Sequence, residues 1–217
     1  MHLSSIRLLS VAIMTLTFAI PSREANAADQ ILFVSSFASG EKGAITALRL
    51  SSDDGSLTPL EHNGDVENPF FLAVSRDGRF LYSVHAKAFG GEEDEEVAAY
   101  AIDRTTGKLS LLNRQSSKGT ATCYLEADAT GKTLLLANYS SGSVASLPIR
   151  EDGSLGEAVS FFPHQGGSKV DPKRQEGPHA HCILPAPDNR FAYSADLGLD
   201  QILAYRLDPS AARLEPA

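Results

Sequence analysis

Ser75-Arg76-Asp77-Gly78-Arg79-Phe80-Leu81-Tyr82 returns in outline twice, as Ala129-Thr130-Gly131-Lys132-Thr133-Leu134-Leu135-Leu136 and as Pro187-Asp188-Asn189-Arg190-Phe191-Ala192-Tyr193. Each copy joins a polar turn to an apolar run. Gly78, Gly131 and Asn189 hold matching places, and both residue types tolerate or favour positive φ, as tight hairpin turns require. A second mark is a turn closing on Gly-x-Leu. It occurs as Asp54-Gly55-Ser56-Leu57, Thr106-Gly107-Lys108-Leu109 and Asp152-Gly153-Ser154-Leu155, with a weaker copy at Ala212-Arg213-Leu214. Both marks recur at roughly 46 to 59 residues.

Between the marks lie short runs of strand character: Ile31–Val34, Val97–Ile102, Val144–Ile149 and Ile202–Leu207. Beyond the N-terminal segment, no capped run of 3.6 periodicity is long enough to predict a helix. A period near 50 holding about four strands is the pattern of a propeller blade. The chain is therefore predicted to be all-β, a β-propeller of four-stranded antiparallel blades. A β-sandwich with regular hairpins is the alternative, but a sandwich does not need the same turn chemistry at the same phase. The blades are expected near residues 30–62, 68–115, 120–164 and 178–215, with the first lacking its innermost strand. That is about three and a half to four blades. Propellers remove open edges by closing the ring, so the sequence reads as an incomplete propeller, either truncated or completed by a second chain.

Net charge is −8, with 27 acidic against 19 basic residues. No basic stripe carries interleaved aromatics, which argues against nucleic-acid binding. Arg7, the apolar run Leu8 to Ile20 and the small-residue pattern Ala25-Asn26-Ala27 have the three parts of a secretory signal peptide. The run is too short to span a bilayer. Residues 1–27 are expected to be a signal peptide, leaving a periplasmic or secreted domain at 28–217 with no membrane segment; an uncleaved anchor is the alternative. Export permits a disulfide. Aligning Gly131 with Asn189, however, puts Cys123 opposite His181 rather than Cys182, so the two thiols are expected on opposite strand faces.

The long polar segment from Pro163 to His181 holds three of the six histidines, His164, His179 and His181. Loops of this length inside a compact repeat are usually functional. It leads into an innermost strand, which places His179 and His181 near the central channel. Arg174-Gln175-x-x-Pro178-His179-x-His181, followed by Pro187-Asp188-x-Arg190-Phe191 and Asp196-Leu197-Gly198-Leu199-Asp200, resembles the seven-bladed lactonase family. That family includes propeller-type 6-phosphogluconolactonases and 3-carboxymuconate lactonizing enzymes, and the resemblance runs from Ile31 to Leu214.

The resemblance implies a site at the channel mouth, where a histidine of the Pro-His-x-His segment works with an arginine and a glutamate of later blades. Those partners would lie beyond Ala217. Opening a lactone needs a base to activate water and a cation for the developing oxyanion. Histidine suits the first task. His179 and His181 are the candidate bases, and Arg174 is the candidate oxyanion or substrate clamp. Gln175, His164 and Asn138 are assigned to substrate contacts, and Asn138-Tyr139 is expected to line the same mouth. His179 and His181 alone are a weak metal signal, so no metal and no cofactor are expected. Asp196 and Asp200 read as turn carboxylates bonding backbone N–H groups. Glu92-Glu93-Asp94-Glu95-Glu96 reads as a solvated hairpin tip. The implied substrate is a small sugar-acid lactone or another organic acid. A carboxymuconate isomerase and a non-catalytic binding propeller are the alternatives.

Overall fold

A computed structural model of the chain describes residues 29–38, 42–64, 66–86 and 94–217. The signal-peptide reading of residues 1–27 lies outside the described residues, as do Glu92 and Glu93.

Fifteen strands form four antiparallel meanders among the described residues. The first sheet is β1 (Gln30–Ser36), β2 (Ala44–Leu50) and β3 (Leu57–Asn63). The second is β4 (Pro69–Val74), β5 (Phe80–His85), β6 (Glu96–Ile102) and β7 (Leu109–Ser116). The third is β8 (Thr122–Ala127), β9 (Thr133–Asn138), β10 (Ser143–Pro148) and β11 (Ser160–Pro163). The fourth is β12 (Ala180–Pro185), β13 (Phe191–Asp196), β14 (Gln201–Asp208) and β15 (Arg213–Pro216). These are the blades of an incomplete β-propeller. The first blade has three strands, and β1 pairs only with β2 among the described strands. The innermost strands β4, β8 and β12 lie side by side.

The glycine marks do what their chemistry requires. Gly78, Gly131 and Asn189 take φ of 67°, 68° and 58°, and Gly55, Gly107 and Gly153 take 72°, 77° and 84°. Ala212 accepts 50° at the fourth Gly-x-Leu position.

Apolar side chains of successive blades interleave. β9 is buried on both faces, as its unbroken run Leu134-Leu135-Leu136-Ala137 demands. Leu134 and Leu136 pack with Tyr82, Val84 and Val97 of the second blade. Leu135 and Ala137 pack with Ile183, Ala192 and Leu207 of the fourth. The period-2 alternation of a strand thus divides one leucine run between two interfaces.

Each innermost strand begins with a β-bulge: between Pro69 and Leu72, at Cys123, and at His181. Cys123 and His181 are structural equivalents, and both cysteines are free. The Cys123 thiol sits 3.4 Å from the His181 carbonyl, and burial pushes its pKa up to about 12. It is a packed, unreactive thiol.

The acidic run departs from its reading at Glu95. Its side chain is buried, and Oε2 accepts the Thr122 N–H at 2.7 Å. This carboxylate ties the second blade to the first residue of β8, and burial raises its pKa. Charge density alone hid that anchor.

His85 ends β5 and is likewise internal. Its Nδ1 meets the Glu67 carbonyl at 2.9 Å and Nε2 meets the Tyr100 hydroxyl at 3.1 Å. Burial holds its pKa down at about 4. An unfolded histidine titrates near 6.5, so on acidification the unfolded chain binds the proton first. The stabilisation is complete above pH 6.5 and is lost as pH falls toward 4, by up to about 3 kcal/mol. Urea unfolding of His85→Gln at pH 7 and pH 4.5 should show a pH dependence weaker than the parent's by about that amount. An unchanged dependence would mean that His85 protonates freely in the fold.

Candidate active site

The strand ends near the start of β12 bring the predicted residues together. β12 begins at Ala180, so His179 is the last residue of the loop and His181 falls on the bulge. The His179 backbone is held from both sides: its N–H donates to Asp196 Oδ1 at 2.8 Å, and its carbonyl accepts the Leu197 N–H at 2.9 Å. The His179 ring stacks on Tyr139, with centroids 4.5 Å apart and planes 14° from parallel. His181 meets the same Tyr139 ring edge-on at 5.7 Å. Arg174 Nη2 donates to the Tyr139 hydroxyl at 3.3 Å. One tyrosine therefore gathers both histidines and the arginine.

The His179 tautomer follows from its partner. Nδ1 lies 3.0 Å from the Tyr139 carbonyl oxygen, which can only accept, so Nδ1 carries the proton. A neutral ring then leaves its lone pair on Nε2. A histidine with fixed orientation and one free basic nitrogen is equipped to deprotonate water. His181 is exposed and has no such fixing bond among the described residues.

The loop from Gln165 to Pro178 is folded back on the β13–β14 turn. Ser168 N–H donates to the Gly198 carbonyl at 2.8 Å. Gln175 uses both ends of its amide: Oε1 accepts the Asp171 N–H at 2.7 Å and Nε2 donates to the Leu197 carbonyl at 2.9 Å. Gly198 permits this closeness, since a Cβ there would stand 1.8 Å from the Gly177 carbonyl oxygen. Gly198→Ala is expected to lift the loop and displace His179 while leaving the blades folded. Limited proteolysis should then cut between residues 165 and 178 far faster, with little change in far-ultraviolet circular dichroism. Equal proteolysis of variant and parent would count against that role.

Residues 31–217 match the family described as Lactonase, 7-bladed beta-propeller. The chain belongs to this lactonase family. It is 34% identical over 176 residues to the 6-phosphogluconolactonase of Bacillus subtilis (strain 168), covering 81% of this chain and 48% of the relative. A solved structure from Bacteroides fragilis NCTC 9343 superposes with a TM-score of 0.77 at 34% identity, over 90% of this chain and 54% of that one. The periplasmic gluconolactonase of Pseudomonas aeruginosa gives 0.75 at 31% identity, over 88% and 56%. The chain thus spans about half the length of the relatives it matches.

Within this lactonase-family chain, three residues assigned to substrate contacts have other work. Asn138 is fully buried; its amide bonds Thr122, Ser117 and Ser143. Packing at the blade interior seals it from any ligand, which corrects that assignment. His164 follows the outermost strand β11 and is also buried. Its Nδ1 meets Asp196 Oδ2 at 2.6 Å and its Nε2 meets the Tyr205 hydroxyl at 2.8 Å. Burial, then the Asp196 charge, pushes the Tyr205 phenol up to about 12, so its hydroxyl remains a donor. His164 is a staple between blades, not a substrate ligand. Gln175 clips its own loop, as described, and its amide is engaged at both ends.

Asp196 connects these parts. It is buried, and Oδ1 accepts the N–H groups of His179 and Leu199 while Oδ2 bonds His164. The turn-carboxylate reading of Asp196 is therefore correct, and it reaches further than the turn. Sequence reasoning set Tyr139 beside Asn138 as a lining residue and did not foresee its contacts with both histidines and Arg174. The available signal was an aromatic residue directly after a strand end at the mouth.

Proposed function

We propose that this chain supplies the histidine part of a lactone-hydrolysing site, with His179 as general base. The observation that carries the reading is the bond from His179 Nδ1 to the Tyr139 carbonyl, which leaves Nε2 as the free basic nitrogen. In this reading Nε2 takes a proton from water as the oxygen attacks the lactone carbonyl. The ring C–O bond then breaks, and the imidazolium returns the proton to the departing alkoxide. Arg174, fixed to the Tyr139 hydroxyl, presents its remaining N–H donors to substrate oxygen. His181 borders the same space. Further sheets, in the same or a second chain, enclose the mouth and contribute later residues.

The substrate proposed is a sugar-acid lactone without a phosphate. The leader-like residues 1–27 support work outside the cytoplasm, where phosphorylated sugar intermediates are scarce. The gluconolactonase relative of Pseudomonas aeruginosa is itself periplasmic. The test is a pH-stat comparison of glucono-δ-lactone with its 6-phosphate. Faster hydrolysis of the unphosphorylated lactone supports the proposal, and preference for the phosphate overturns the substrate assignment. Hydrolysis of neither by the chain joined to its completing blades would remove the activity altogether.

A further inference from the structure

We propose that the Tyr139 hydroxyl is a second catalytic group of the histidine site, donating a hydrogen bond to the lactone carbonyl oxygen as it becomes an oxyanion. This role rests on His179 being the general base.

Tyr139 is held as a fixed donor must be. It follows β9, whose last residue Asn138 is fully buried. The Tyr139 N–H donates to the Ala121 carbonyl at 2.9 Å. Its own carbonyl accepts the Gly142 N–H at 3.3 Å as well as His179 Nδ1. The β9–β10 turn packs directly against the histidine loop, since a Cβ on Gly142 would stand 2.4 Å from the Pro178 carbonyl oxygen. The phenol ring is half-buried and lies between the face of His179 and an edge-on contact with His181. Backbone and ring are both placed before any substrate arrives.

The hydroxyl is only half committed. It accepts from Arg174 Nη2 at 3.3 Å, and its own hydrogen has no acceptor among the described residues. A phenol that accepts from a cation is polarised toward donation. The direction also fits. His179 Nδ1 turns toward the Tyr139 backbone, so Nε2 lies on the side of the imidazole away from it. The hydroxyl is likewise the end of the phenol farthest from that backbone. Base and donor thus project from one stacked pair of rings. Arg174 by itself is an exposed side chain on a loop, and water and salt screen its charge. A fixed O–H needs no reorganisation when the negative charge forms.

The step balances without a new co-reactant. As water attacks, the carbonyl π pair moves to oxygen, and the Tyr139 O–H bonds that oxyanion while keeping its proton. When the C=O re-forms, the ring C–O bond breaks and the alkoxide takes the proton held by His179. The phenol leaves the cycle unchanged.

Tyr139→Phe is the test, because Phe keeps the ring and leaves the backbone carbonyl that orients His179. Parent, Tyr139→Phe and His179→Ala, each joined to the completing blades, are compared on glucono-δ-lactone. The kcat of Tyr139→Phe is expected to fall about 10²-fold, the usual loss for one oxyanion donor, with KM changed less than about threefold. A cyclic phosphonate analogue, which carries the tetrahedral oxyanion, should bind the variant about 10²-fold more weakly than the parent. The nitrogen NMR shifts of the His179 ring should match the parent's. A parental rate in Tyr139→Phe beside an impaired His179→Ala would overturn the donor and leave the base standing. Parental rates in both variants, or hydrolysis by none of the three proteins, would overturn the base and the donor together. A slow Tyr139→Phe with displaced His179 shifts, or with undiminished phosphonate affinity, would make the phenol a packing group and overturn its catalytic role.

Discussion

His179→Ala is expected to lower lactone hydrolysis about 10²–10⁴-fold, the usual worth of a positioned general base. The ring is fixed by three independent constraints: its backbone N–H on Asp196, its Nδ1 on a carbonyl, and its face on Tyr139. None of these needs the substrate, so the base is pre-oriented. His181→Ala should act differently. That ring is exposed and merely edge-on to Tyr139, so its loss should raise KM more than it lowers kcat. Steady-state rates for both variants on one lactone separate the two roles. If His179→Ala retains a third or more of the parent's kcat while His181→Ala is dead, the base has been assigned to the wrong imidazole.

Asp196→Ala should be the costliest single change to the fold outside the apolar core. It strands the His179 and Leu199 N–H groups and the His164 Nδ1, at 2.8, 3.0 and 2.6 Å from the carboxylate. Removing one member of a buried charged network costs about 3–5 kcal/mol, or about 10 °C in Tm for a domain of this size. Asp196→Asn keeps one acceptor oxygen and should cost less. It places an amide against His164, which can answer by shifting its proton to Nε2, the Tyr205 hydroxyl then accepting where it had donated. Calorimetric melting of both variants orders these effects. A melt within about 2 °C of the parent for Asp196→Ala would mean that the network is slack.

The blade pattern was legible because hairpin chemistry is local. Gly78, Gly131 and Asn189 announce positive φ wherever they fall in the fold, and the period follows from their spacing. The place of His179 and His181 at the head of an innermost strand was legible for the same reason, being a matter of phase. What was hidden depends on contacts between blades. Asn138 and Gln175 look like site residues in sequence, since an amide carries no sign of whether its partner is a ligand or a neighbouring strand. His164 lies only fifteen residues before His179, yet it belongs to a buried bond network reaching Tyr205 forty-one residues on. Glu95 was obscured by its own company: it stands among four acidic neighbours in the sequence, yet it folds inward to hold Thr122. Tyr139, the hub of the cluster, has no motif to mark it.

The kink at the head of every complete blade's inner strand has an evolutionary corollary. It falls at Phe70-Phe71, at Cys123 and at His181, and breaks the regular ladder there without disturbing the leucines beyond. A residue released from the ladder has no cross-strand partner to match, and within this one chain the position takes three different kinds of side chain. One chain thus tries an aromatic pair, a thiol and an imidazole at the same socket. New reactivity can enter such a molecule by exchange of a single codon at a socket, with the surrounding architecture inherited unchanged.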